Sequence, residues 1–67
     1  MTTAAQAMVA AIARLRLAGV DYPARDARIL LAHAAQVDAS RVTLIAPDDI
    51  APEISQRYEQ LIELRTQ

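Results

Sequence analysis

Four helix-breaking residues divide this chain into segments of helical length. Gly19 is the sole glycine, and prolines stand at positions 23, 47 and 52. Gly readily takes the left-handed conformation that follows a helix, and Pro suits the first helical position because its missing N–H is not needed there. The segments between these breaks are rich in Ala, Leu and Arg. Because Ala is the strongest helix former, the composition predicts an all-α fold.

The first predicted helix covers residues 4–18. Thr3 precedes it and Gln6 follows three residues later, which is the spacing of a capping box. We expect Gly19 to end this helix, with Val20 folding back onto Leu15 as in a Schellman ending. The apolar residues recur every three or four positions and fall on one face, at Ala5, Met8, Ile12 and Leu15.

The second predicted helix covers residues 23–36 and is unusually apolar. Its apolar arc exceeds half of the circumference, which is wider than a surface helix needs. We therefore expect this helix to be central in the fold, with Leu30 in the core. The arc contains Ala27, Leu30, Leu31, Ala34 and Val37, with Ile29 at its edge.

A short third helix is predicted over residues 41–46. Ser40 is a good N-cap residue for it. Pro47 then stops the helix, and Asp48 and Asp49 are most simply turn residues.

Pro52 and Glu53 open a fourth predicted helix through the preset φ angle of proline and the favourable charge of an acid in the first turn. Glu53 and Arg57 have the spacing of an i, i+4 ion pair. We expect Tyr58 in the core with its hydroxyl at the rim. The apolar stripe contains Ile54, Tyr58, Leu61, Ile62 and Arg65, with Leu64 at its edge. We therefore predict that residues 1–67 form one domain, a small bundle of four or five helices.

The charge balance and composition exclude several classes of function. Seven Arg, no Lys and eight acids give a formal net charge of −1. Domains that grip nucleic acid usually carry a basic excess, so a nucleic-acid partner is disfavoured. No apolar run approaches the ~18 residues of a membrane span. The N-terminus lacks the positive charge of a secretory signal, and the absence of cysteine fits a reducing cytoplasm.

No residue set in the sequence has the pattern of a catalytic, cofactor-binding or metal-binding site. One glycine cannot supply a nucleotide-binding fingerprint. His33 has no histidine or cysteine partner at metal spacing, and we interpret it as a histidine packed at the border of the apolar arc. A catalytic base needs an orienting partner, and Asp26 lies two helical turns away, about 10 Å along the axis.

Asp26 and the arginines of the first two helices each permit two interpretations. Asp26 lies near the start of the second helix, where the helix dipole favours a negative charge. A contact with a partner is the alternative. The arginines are explained either as a solvated face or as contacts to a protein partner: Arg14, Arg16, Arg25 and Arg28.

Residues 15–33 read LRLAGVDYPARDARILLAH. This stretch resembles the start of the bacterial release-factor glutamine methyltransferases, whose pattern is L-x-x-A-G-[VI]-x-x-P-x-x-D-A-x-x-L-L-x-H. Later segments agree in order, with Ser40-Arg41, then Pro52-Glu53, then YEQLI at 58–62, so the resemblance covers nearly the whole chain. Tyr22, Ala24 and Arg28 depart from the residues common at those positions.

The resemblance implies a longer parent enzyme in the cytoplasm. That enzyme would transfer a methyl group from S-adenosylmethionine to the Gln of the Gly-Gly-Gln motif in a peptide chain release factor. Catalysis and the cofactor would belong to a C-terminal Rossmann-like domain with an Asn-Pro-Pro-Tyr motif, and this chain contains neither. The resemblance implies a substrate-recognition role for residues 1–67, with the catalytic domain in cis. The candidate release-factor contacts are Arg14, Arg16, Arg25 and Arg28.

The alternative is a free-standing helical interaction module or a helix-turn-helix DNA-binding module. The turn at Gly19 between two helices gives it some support. Against DNA binding, the second helix is largely apolar, whereas a helix that reads bases must expose polar side chains.

Overall fold

The computed structural model describes residues 2–67, and its regular structure is helical. Helix α1 spans Ala4–Leu17, α2 spans Pro23–Ala35, and a 3₁₀ turn at Ala39–Arg41 runs directly into the single turn of α3, Val42–Ile45; helix α4 spans Pro52–Thr66. Helix α2 packs against α1, α4 and the 3₁₀ turn, and α1 also packs against α4. The predicted all-α bundle with the second helix at its centre is therefore confirmed.

The start of α1 has partners for its first backbone N–H groups. The predicted capping box is present: the Thr3 N–H donates to the Gln6 side chain at 2.9 Å, and the Gln6 N–H donates to the Thr3 hydroxyl at 3.1 Å. The next donors reach the connection that precedes α4, from Ala4 to the Asp48 carbonyl and from Ala5 to the Ala46 carbonyl, both at 2.9 Å. Helix starts leave such groups without intrahelical partners, so these bonds tie α1 to the α3–α4 connection.

The end of α1 is the predicted Schellman ending. Gly19 takes the left-handed conformation with φ 84°. The Val20 N–H donates to the Leu15 carbonyl at 3.0 Å, and Val20 packs against the core. The chain thereby turns sharply enough to start α2 four residues later.

Helix α2 has a similar ending built on a non-glycine residue. Gln36 takes the left-handed conformation with φ 59°, so α2 ends at Ala35, one residue before the predicted end. The Val37 N–H donates to the Ala32 carbonyl at 3.0 Å. Left-handed backbone is unfavourable for a residue with a Cβ atom, so Gln36 is held there at a cost in free energy.

The prediction that Ser40 caps the third helix is wrong. Helical backbone begins at Ala39, because the Arg41 N–H donates to the Asp38 carbonyl and closes a 3₁₀ turn around Ser40. This turn places Val42 in the core with 1% of its surface exposed. Burial of Val42, and not a hydroxyl cap, therefore accounts for the register of this segment.

The core is built from small and medium-sized aliphatic side chains. Leu31 is fully buried, whereas Leu30, which we expected in the core, is half-buried and packs against it. His33 is exposed, so its interpretation as a packed border histidine is wrong. Alanines make up half of the buried residues, which are Ala4, Ala11, Leu15, Ala27, Leu31, Ala32, Ala34, Val42, Tyr58 and Ile62.

Two adjacent residues of α4 donate hydrogen bonds to backbone carbonyls of α2. The Tyr58 hydroxyl donates to the Ala27 carbonyl at 2.8 Å, so the hydroxyl is buried and not at the rim as predicted. The Arg57 guanidinium donates to the Ala34 carbonyl at 2.7 Å instead of pairing with Glu53. We call this pair of bonds the α2–α4 latch.

Three adjacent residues of α2 provide a graded test of the core. Leu31→Ala should lower the free energy of unfolding by ~2–5 kcal/mol, because it leaves a cavity in a fully packed site. Leu30→Ala should cost less, and Ile29→Ala least, because Ile29 is 46% exposed. Thermal or urea unfolding of the three variants measures the order, and any other order would mean that α2 is rotated about its axis.

The two left-handed residues predict opposite effects of glycine. Gly19→Ala should destabilise the fold by roughly 1 kcal/mol, because alanine resists a φ of 84° even though its Cβ would meet no neighbouring atom. Gln36→Gly should stabilise it by roughly 0.5–1 kcal/mol, because glycine takes a φ of 59° without strain. Denaturant midpoints report both changes, and a loss of stability in Gln36→Gly would contradict the Schellman ending of α2.

Burial raises the pKa of Tyr58 above its ordinary value of about 10. The neutral hydroxyl is therefore favoured in the folded state. Its contribution to stability is complete below pH ~10 and is lost as the pH rises through the tyrosine range, by up to ~1.4 kcal/mol per pH unit. The chain has no Lys or Cys to obscure this titration.

Tyr58→Phe should therefore flatten the alkaline fall in unfolding free energy between pH 10 and 12. At neutral pH it should cost only ~0.5–1.5 kcal/mol, the usual contribution of one hydrogen bond. Tyr22→Phe, a change at an exposed tyrosine, is the matched control and should keep the slope of the parent. An unchanged slope in Tyr58→Phe would show that the Tyr58 hydroxyl does not titrate with unfolding.

Candidate protein-binding surface

The turn between α1 and α2 gathers exposed arginines and large apolar side chains. Arg16 and Leu17 lie in the last turn of α1, Tyr22 directly precedes α2, and Arg25 and Arg28 lie in its first two turns. All five side chains are exposed. We call these five residues the junction surface. They flank the α1–α2 turn, in which the Schellman ending at Gly19 reverses the chain within a few residues.

Arg25 is held in place at the junction surface. Its guanidinium carbon lies 4.6 Å from the centroid of the Tyr22 ring, a distance at which the cation and the ring attract each other. Its Nε atom lies 3.7 Å from a carboxylate oxygen of Asp26. Arg25 therefore presents its remaining N–H donors from a restrained position.

Leu17 and Tyr22 give this surface an apolar component. Leu17 is 90% exposed and Tyr22 is 62% exposed, although both are large side chains. Tyrosine and arginine are enriched among the residues that dominate binding free energy at protein interfaces. An apolar side chain beside arginines has the chemistry to bind a partner that offers an apolar contact flanked by carboxylates.

Arg14 pairs with a residue of a distant helix, whereas Arg25 pairs only with its sequence neighbour Asp26. Its Nη1 atom lies 3.0 Å from Oε2 of Glu59 on α4. Both residues of the ion pair line a groove of about 220 Å³ between α1 and α4, together with Ala7 and Ala11. Both side chains are largely exposed, so the pair contributes little to stability.

Asp26 forms an ion pair that the sequence did not reveal. Arg65, near the end of α4, places its Nε and Nη2 atoms both 3.1 Å from Oδ2 of Asp26. The Asp26 side chain is only 14% exposed. Asp26 also lies in the first turn of α2, as the helix-dipole interpretation requires. Its contacts join α2 to the last turn of α4, which accounts for it within the fold.

Residues 2–67 show no metal-binding group and no nucleotide-binding unit of the Rossmann type. No set of three His, Cys, Asp or Glu side chains in this range converges on one point. The one glycine is used to end α1, and the described segments contain no strand–turn–helix unit that could receive a nucleotide. No helix in this range is long and apolar enough to cross a membrane.

Comparison with known proteins decides the family. The family model described as the PrmC N-terminal domain matches residues 6–67. The chain belongs to the PrmC N-terminal domain family. A release factor glutamine methyltransferase from Cereibacter sphaeroides is 50% identical over 62 residues, which cover 92% of this chain. The match covers 22% of that relative, so the chain spans about a fifth of its length. No solved structure matches the chain.

Membership of the PrmC N-terminal domain family confirms the resemblance that residues 15–33 carry. The junction surface lies within the matched range, as do Arg14 and Asp26. Sequence reasoning selected four arginines but could not tell which have partners within the chain. It did not select Leu17 or Tyr22 as candidate contacts. The available signal was that each is a large side chain outside the apolar stripes of the helices.

Proposed function

We propose that this chain is the N-terminal, substrate-binding domain of a methyltransferase that modifies the Gln of the Gly-Gly-Gln motif in peptide chain release factors. The single observation that carries the proposal is the family match over residues 6–67, together with a relative named for that activity. The catalytic domain in cis would bind S-adenosylmethionine, since the relative is named as a methyltransferase. The enzyme would act in the cytoplasm, and residues 1–67 alone would be inactive.

The domain would contribute binding energy at a distance from the reacting glutamine. A short flexible loop offers little surface for an enzyme to hold. Contacts to remote parts of a protein substrate can orient the reacting group and reduce the entropy that is lost in the chemical step. A separate rigid domain with exposed arginines and apolar side chains suits this purpose.

We assign the release-factor contact to the junction surface, with Arg16, Arg25 and Arg28 as the charged residues. Arginine can donate two parallel hydrogen bonds to one carboxylate, so it suits an acidic protein surface. Arg14 is a weaker candidate, because a partner must compete with Glu59 for its guanidinium. DNA binding is disfavoured, because the chain has a formal net charge of −1 and lacks the basic excess of domains that bind nucleic acid.

Deletion of residues 1–67 from the full-length enzyme separates recognition from chemistry. The deletion should raise the KM for intact release factor by about tenfold or more, equivalent to at least ~1.4 kcal/mol of lost binding. The KM for a short peptide containing Gly-Gly-Gln should change little, because the peptide is too short to reach this domain. Methyl transfer from labelled S-adenosylmethionine measures both constants. Equal effects on the two substrates, with the remaining domain still folded, would assign the domain to stability and not to recognition.

Charge reversal tests the assigned contact within the intact enzyme. The double change Arg16→Glu and Arg28→Glu should raise the KM for release factor several-fold and leave kcat unchanged, because it removes binding only. Arg41→Glu is the matched control, since Arg41 is also exposed but lies on the 3₁₀ turn. If KM rises equally in the control, the effect comes from the net charge of the domain, and the junction surface is not the release-factor contact.

A further inference from the structure

A second surface feature lies at the other end of the bundle. An open pocket of about 340 Å³ forms where the end of α2, the α3–α4 connection and the start of α4 meet. The Ala4–Asp48 hydrogen bond places the start of α1 beside this connection. The junction surface begins in the last turn of α1, which ends at Leu17, 13 residues after Ala4 and about 20 Å along the helix. We call this feature the acid-rimmed pocket; its lining includes Val37, Ile45, Ile50 and Ile54, with Asp48 and Asp49 at the rim.

The walls of the acid-rimmed pocket are aliphatic and only half-buried. Val37, Ile45, Ile50 and Ile54 pack against the core and line the pocket on their other side. Apolar surface in a concave site gains free energy when another apolar group covers it. Its volume is at the lower end of the ~300–1,000 Å³ that is typical of ligand pockets, which suits a side chain and its neighbours better than a large cofactor.

Backbone hydrogen bonds hold the pocket in shape. The Ile50 N–H donates to the Thr2 carbonyl at 3.1 Å, and the Asp48 N–H donates to the Ile45 carbonyl at 3.0 Å. The Schellman ending of α2 fixes Val37. The pocket is therefore formed before anything binds to it, which lowers the entropic cost of binding.

The rim of the pocket carries negative charge that the described residues do not neutralise. Asp48 and Asp49 are exposed, and neither carboxylate is within ion-pair distance of a described arginine, whereas Asp26 and Glu59 both have arginine partners. Arg57, on the first turns of α4, is committed to the Ala34 carbonyl. An occupant of the pocket thus meets aliphatic side chains and two carboxylates that have no ion-pair partner among residues 2–67.

We propose that the acid-rimmed pocket binds one aliphatic side chain of a partner polypeptide in which an adjacent residue is Arg or Lys. The aliphatic side chain would fill the space against Ile45, Ile50 and Ile54. The neighbouring cation would lie over the rim, within reach of Asp48 and Asp49. The pocket is remote from the junction surface, so this second contact does not depend on the proposed release-factor contact and can stand if that one fails.

A tripeptide probe tests the pocket directly in the 67-residue chain. Acetyl-Arg-Leu-Arg-amide, added to protein with labelled isoleucine methyl groups, should shift the NMR signals of Ile45, Ile50 and Ile54 with a millimolar dissociation constant. Acetyl-Glu-Leu-Glu-amide should bind at least about fivefold more weakly. No shift with 20 mM of the arginine peptide, or equal binding of the two peptides, would overturn the proposal.

Variants identify the groups responsible. The double change Asp48→Asn and Asp49→Asn should lower the affinity for the arginine peptide by about fivefold. Asp38→Asn changes an exposed acid outside the pocket lining and should leave that affinity unchanged. Ala51 lines the pocket, so Ala51→Leu adds a larger side chain that fills the space. This change should abolish peptide binding and leave the core packing unchanged. Unchanged affinity in either pocket variant would contradict the assignment.

A second copy of the chain is the competing occupant, because Arg16 and Leu17 are adjacent and exposed. Such a contact would join different surfaces of two copies and would extend into chains of molecules. Sedimentation and methyl shifts that depend on protein concentration without peptide would therefore overturn the proposal in favour of self-association.

Discussion

The α2–α4 latch is the constraint on which the arrangement of this small bundle depends. Arg57 and Tyr58 are neighbours in sequence, yet their hydrogen bonds end on carbonyls seven residues apart, at Ala34 and Ala27. Seven residues of helix correspond to about 10 Å, so the two bonds resist sliding and rotation of α4 along α2. Ala34 lies in the last turn of α2, where carbonyls lack intrahelical partners and a positive charge is favoured. Arg57 thus supplies a hydrogen-bond donor to the C-terminal end of α2 and, by the same bond, orients α4.

The α2–α4 latch matters because the core buries little apolar side-chain surface. Alanine supplies half of the buried side chains, and the chain contains no Phe or Trp. Small side chains allow helices to approach closely, but each buries little apolar area. Hydrogen bonds between helices and well-formed helix ends therefore carry a larger share of the specificity than they would in a larger domain. The Asp26–Arg65 pair adds a third link between α2 and α4, at the opposite end from Arg57.

The sequence predicted the features whose causes are local. The capping box of Thr3 and Gln6 and the ending at Gly19 depend on residues within a few positions of each other, and both are present. The central position of α2 was also predicted, but specific contacts between distant residues were missed. The Tyr58 hydroxyl finds a carbonyl 31 positions away, and Ser40 is displaced from its expected capping role because Val42 must be buried.

The candidate binding surfaces show the same difference between local features, which the sequence reveals, and contacts between distant residues, which it does not. Four arginines were recognisable as candidates from their positions on the first two helices. Nothing in the sequence revealed that Arg14 pairs with a glutamate 45 positions away, or that Arg25 rests against Tyr22. The acidic turn at Asp48 and Asp49 was predicted as a turn alone. Only the tertiary structure shows that it borders an apolar pocket.

The bonds that join the start of α1 to the α3–α4 connection have a consequence for hydrogen exchange. The first amides of a helix usually exchange quickly with solvent deuterium, because they lack intrahelical acceptors. Here the amides of Ala4 and Ala5 donate to carbonyls more than forty positions later in the chain. Their protection therefore reports on whether the distant connection is docked, and not on helix fraying. In this domain, the amides of Ala4 and Ala5 can thus report on the integrity of the α3–α4 connection.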